Sequence, residues 1–299
     1  MELTWPIRIR IIASAVVGIF LIGILCWPLA APAEPLGIVY LQNLTGLGLF
    51  YLIAVSLLCG IISYFIARPY GKEIGILAVP AGLAILSIRC GNIANIMQIN
   101  ADIQSKLSIY NNLRFESFFW LLLVLAGFAG VFAADLIPGA KAENKDKPTK
   151  TIVKANIYMN SAIAVFGSIL ITGICIMILA QDVRFSDSKL GSVIAQPAKG
   201  QVVFAVTISF FVAGFSSKKF LNVSYFWPIL ATAFVTSISI MAYVNANTLE
   251  YMSGLWPANF FSNPIVSILP IQMVSFGTLG AIWGYWMAVK YTHWRHHEQ

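Results

Sequence analysis

The residues best placed to do chemistry gather in the stretch SIRCGNIANIMQIN, Ser87 to Asn100, where Arg89 is followed by Asn92, Asn95, Gln98 and Asn100. A guanidinium offers five fixed N–H donors, and each amide offers both a donor and an acceptor. Such a set suits an anion or a lipid headgroup, so Arg89, Asn92 and Asn95 are the candidate binding residues, forming a polar vestibule. Steps of three residues drift around a helix by about 60° each time, so these side chains do not line one face. Counted from Ile74, Arg89 lies about 15 residues along its apolar run, roughly 7 Å short of the far interface, within reach of a stretched arginine. That spacing favours the wet end of a helix over a lined site.

Other reactive groups are scarce. All three histidines, His293, His296 and His297, lie in the last seven residues. A bis-histidine haem, an H-E-x-x-H zinc site and an intramembrane Ser–His pair are therefore not to be had. His293 and His297 stand four apart, but at a terminus they read as a solvated tail. Asp135 is the one acid inside an apolar run, about 18 residues and roughly 27 Å from Ser117, which puts it at the opposite boundary. An enzyme acting at the external face would have only Arg89, Arg114 and Glu116 to draw on. Cys26, Cys59, Cys90 and Cys175 form no C-x-x-C pair, although Cys26 and Cys90 both fall near the external side, where a disulfide could form. The glycines at Gly46 and Gly48 precede an apolar run and do not open a βαβ unit. No catalytic, cofactor-binding or metal-ligating set is expected, and no cofactor.

The elements that carry these residues are apolar runs. Of 299 residues, 59% are hydrophobic and 10% charged, with a mean hydropathy of +0.80. A soluble chain carries about 25% charged residues, so this one lacks the polar surface to cover a globule in water. About 20 apolar residues span a bilayer, and eight such runs predict an all-α polytopic membrane bundle: Ile11–Ala30, Thr45–Ala67, Ile74–Ala94, Ser117–Ile137, Ile157–Ala180, Gln201–Phe215, Tyr225–Asn245 and Ile265–Lys290. Pro270 divides the last run from an interfacial lead-in. Alternating sides place 13 Lys and Arg residues on one face and 6 on the other, accounting for all 19, while acids divide evenly. This is the positive-inside pattern, and it puts both termini in the cytoplasm of a bacterial inner (plasma) membrane. The net charge of +7 is then a matter of anionic lipid headgroups at cytoplasmic Lys and Arg, not of nucleic acid. The start, ending in an A-x-A site at Ala33, resembles a signal peptide. We read it as a retained span; cleavage would leave seven.

Residues 1–299 form a single membrane domain with one clear linker, Pro138–Lys154, charged and low in complexity. It separates 1–137 from 155–290, and the two parts match weakly as a parallel 4+4 repeat. Ser14 recurs at Ser161, Pro80 at Pro228 and the Gly127/Gly130 pair at Gly277/Gly280, at offsets of 147, 148 and 150. Ala101–Arg114 shows helical spacing and is expected as an external amphipathic helix, lying on the outer leaflet or continuing the third span. Small residues at four-residue steps, such as Gly280 and Gly284, let helices approach where lipid provides no hydrophobic drive. The expected function is a non-catalytic accessory or structural component of a membrane assembly, with lipids and other membrane subunits as partners. A passive or partner-driven transporter or flippase ranks second, and an enzyme on a lipid-linked substrate third.

Overall fold

In a computed structural model, residues 4–32, 37–100, 102–137, 154–181, 196–254 and 260–297 are described, and among them every regular element is helical. The first span is α1 (Trp5–Gly18), running into a π-helical segment (Ile19–Leu25) and a short α2 (Trp27–Ala30). Then come α3 (Gly46–Ile66), α4 (Gly71–Ile74), α5 (Ala78–Arg89), α6 (Ile93–Ile99) and α7 (Ile103–Asp135). The second part holds α8 (Lys154–Leu179), α9 (Lys199–Leu221), α10 (Phe226–Met241), α11 (Ala246–Gly254) and α12 (Pro270–His297).

Local chemistry sets the ends. The Thr45 hydroxyl accepts the Gly48 N–H at the start of α3, and the Asp102 carboxylate accepts that of Ser105 at the start of α7. Pro80 and Pro228 each occupy the third position of their helix, where the missing N–H has no partner to lose. The α9 helix stops at Asn222, which takes a left-handed conformation (φ 52°) that asparagine tolerates better than most side chains. At α12, Gln272 reaches back to accept the Leu269 N–H at 3.2 Å.

Six helical segments are long and apolar enough to cross a membrane, and the α10–α11 pair, bent by 77°, would make a seventh. The eighth expected run, α12, has the length at 28 residues. Gln272, Ser275 and Thr278 lower its hydropathy, and its first half is buried among other helices instead of facing lipid. Three further expectations need correcting. Of the Ala101–Arg114 segment, residues 103–114 belong to α7, whose 33 residues (about 50 Å at the helical rise) extend the fourth span, not the third. Pro270 does open α12, but its lead-in Pro264–Leu269 is buried and not interfacial. All four cysteines are free, with the Cys26 and Cys90 thiols donating to the Leu21 and Ser87 carbonyls instead of pairing.

The bundle is organised around its second and fourth long helices. The most extensive pairings are α3 with α7 and α9 with α12. Both are close crossings in which a glycine meets backbone. Gly60 packs on the Gly127 carbonyl and Gly214 on the Ala281 carbonyl, while Gly130 packs on that of Leu57 and Gly284 on that of Phe211. Corresponding residues of the two crossings lie 154 apart: 60 and 214, 127 and 281, 130 and 284, 57 and 211. The Ser14–Ser63 hydroxyl contact (2.5 Å) and the Ser168–Ser217 contact (3.5 Å) keep the same step. Across the middle, α5 lies on α12 and α10 on α7, one helix from each part in either case. The α4–α6 segment is 83% buried over its apolar window, against 28% for α1 and 22% for α8, so α1 and α8 are the rim.

Candidate functional site

Two polar layers close the ends of this bundle. At one end Lys72 bridges to Asp135 at 2.7 Å, and the Tyr64 hydroxyl donates to the same carboxylate at 3.0 Å. The Lys218 ammonium lies 5.2 Å from the Tyr285 ring and Lys219 4.6 Å from the Tyr291 ring. Asp135, expected beside the linker lysines, thus pairs with a lysine on α4; the linker itself lies outside the described residues.

The other end holds the residues that the sequence singled out. Arg89 is the last residue of α5 and is exposed. Its Nη1 donates to the Gly23 carbonyl at 3.1 Å and its guanidinium carbon sits 4.2 Å above the Trp27 ring, so it folds back along the first span. Asn92 precedes α6 with a buried Oδ1 that has no partner, and Asn95 is half-buried one turn on. Among the described residues no hydrogen bond joins Arg89 to either asparagine. The α5–α6 break is instead stitched to the second part of the chain. Lys199 Nζ donates to the Cys90 carbonyl at 2.6 Å, and Gln196 accepts from the Ala94 N–H while donating to the Ser267 carbonyl.

A more deeply buried group stands on α7. Glu116 is 2% exposed, and its Oε1 accepts the Leu41 N–H at 2.6 Å, tying the loop before α3 to this helix. Among the described residues its Oε2 has no hydrogen-bond partner, nor has Nε1 of the fully buried Trp120 one turn along. The indole lies beside the carboxyl, outside hydrogen-bond geometry. Tyr40, in the loop before α3, lies beside Asn112. Burial raises its hydroxyl pKa above the ordinary value, the neighbouring Asn112 side chain opposes that rise and Glu116 adds to it. Arg114 points elsewhere, over the Phe115 ring at 4.4 Å. Two residues of helix put Arg114 and Glu116 about 160° apart, so they do not converge on one substrate. Sequence reasoning placed Glu116 just outside the span, as one of three polar candidates for an enzyme at the external face. The signal that it is covered was the series Tyr110, Leu113, Ser117, Trp120 and Val124, which continues one helical face across the assumed boundary.

Among the described residues no three His, Cys, Asp or Glu side chains gather as metal ligands would. The sequence matches no known protein family, no curated protein and no solved structure.

Proposed function

We propose that this chain is a non-catalytic integral membrane protein, an accessory or structural component of a membrane assembly whose partners are lipids and other membrane subunits. One observation carries this reading. Between the two polar layers the inner turns of α5, α7, α9, α10 and α12 are filled by Leu83, Leu86, Leu123, Val124, Phe210, Ile229 and Val274, none above 0% exposure. Three hydroxyls among them turn back on their own helices, Thr232 donating to Ile229, Thr236 to Thr232 and Ser209 to Ala205, while Ser117 donates across to the Ala233 carbonyl. Such bonds satisfy the side chain without offering anything to a solute. With α12 as the eighth span, both termini face the cytoplasm of a bacterial inner membrane, and the linker lysines with Lys218 and Lys219 meet anionic headgroups. Our reading keeps the first helix as a span, and the packing of Gly18 on the Ala78 backbone is consistent with it. The recurring step of 154 supports a parallel duplication of 1–137 and 155–290.

A second reading, a passive transporter, draws on the breaks after α5 and α10, which interrupt corresponding helices of the two parts; such breaks mark substrate sites in carriers. Here they sit at the outer end, not at mid-depth, so this reading ranks second. Gentle extraction followed by identification of co-purifying proteins, with reconstitution into liposomes alongside, separates the two. We expect a membrane partner in fixed stoichiometry and no solute flux above that of empty liposomes. Protein-dependent flux with no partner would overturn the accessory role.

A further inference from the structure

The two parts of the chain differ sharply at one place. Carried outward from the glycine contacts, the step of 154 sets Trp120 of α7 against Val274 of α12, and Glu116 against Pro270, where α12 begins. Beyond that point α7 runs on from Phe115 back to Ile103, and its neighbourhood is polar where that of α12 is not. Eight buried side-chain polar atoms have no partner among the described residues. Four of them, on Tyr110, Arg114, Glu116 and Trp120, fall within eleven residues of α7. Folded proteins leave few such atoms, so the clustering asks for a missing partner.

Glu116 and Trp120 stand four apart on one helical face, both nearly inaccessible. An indole N–H can only donate, whereas a carboxylate oxygen accepts. The group that completes both must therefore accept from Trp120 Nε1 and either donate to an ionised Glu116 Oε2 or accept from a protonated one. An ammonium cannot accept, a phosphate oxygen fits only the protonated carboxyl, and a metal ion would meet an N–H proton. A hydroxyl does both. The Leu41 N–H on Oε1 holds the carboxyl in place for such a ligand. We propose that Glu116 and Trp120 form a hydroxyl-binding site at the outer end of α7, which takes the polyol or sugar of a lipid headgroup or of a free solute. This goes beyond the accessory role and stands or falls separately from it.

The test uses the full chain in lauryldimethylamine oxide, a detergent without hydroxyls. Thermal stability is read with phosphatidylglycerol against phosphatidylpropanol, which carries the same phosphodiester charge without hydroxyls. Glucosyl diacylglycerol is read against diacylglycerol, and soluble glycerol phosphate against propyl phosphate. The hydroxylated member of at least one pair should raise Tm by several degrees more than its mate, and Trp120→Phe should abolish that difference. A response to the lipids alone assigns a headgroup, and one shared by glycerol phosphate assigns a free solute. Should Trp120→Phe fail to fold, native mass spectrometry of the wild-type protein replaces it, with retained lipids enriched in hydroxylated headgroups as the supporting result. Equal shifts within every pair would mean that ordered water alone meets these atoms and would overturn the proposal. So would a Trp120→Phe loss of Tm that is the same with every probe, since the indole would then be bonded to the carboxyl directly.

Discussion

Residue by residue, burial separates two groups that the sequence set side by side. Arg89 looked like the functional cation, yet it is exposed and satisfied by a carbonyl and an indole of the first span. Replacing it with leucine removes one exposed hydrogen bond and one cation–π contact, so Arg89→Leu should cost no more than about 1 kcal/mol and shift Tm only slightly. Glu116→Ala is different. It strands the half-buried Leu41 N–H, a loss of about 1 kcal/mol or more that a thermal-shift measurement in detergent would register as a clear fall in Tm. If Arg89→Leu proved the more damaging of the two, the ranking of these sites would reverse. The candidate vestibule was legible as a list of polar residues. Burial was not, because it depends on what the loop before α3 lays over α7.

At the scale of elements, the interlocking of helices rests on a few positions without side chains. A Cβ at Gly130 would strike the Leu57 carbonyl and one at Gly284 the Phe211 carbonyl, whereas at Gly167 nothing lies within 4 Å. Gly130→Ile and Gly284→Ile should therefore each destabilise by about 2 kcal/mol or more by forcing paired helices apart. Gly167→Ile, on the rim helix α8, should leave Tm unchanged. Comparable losses at all three would refute the close crossings. The sequence advertised these small residues but paired them wrongly, matching Gly130 with Gly280 when the equivalent contact belongs to Gly284. Glycine spacing in apolar sequence fits several registers equally well, and only the backbone facing each glycine distinguishes them.

For the molecule as a whole, two measurements address the threading and the duplication. Cysteines introduced in the Pro138–Lys154 linker should react with a membrane-impermeant reagent only after cells are opened, and labelling of intact cells would invert the proposed sidedness. Co-expressed fragments 1–145 and 146–299 should assemble into one particle through the α5–α12 and α10–α7 faces, and failure to associate would argue that the covalent join is required. The scarcity of charge and the apolar runs of about 20 residues by themselves pointed to helices fit to cross a membrane, since 10% charged residues cannot coat a globule in water. Charge asymmetry supplied the expected threading, because moving cations across a bilayer is costly. Which acid is buried, which glycines meet, and how α7 outruns α12 were decided only by tertiary structure. Those properties depend on which surfaces face one another, and an apolar sequence repeats the same few letters on every face.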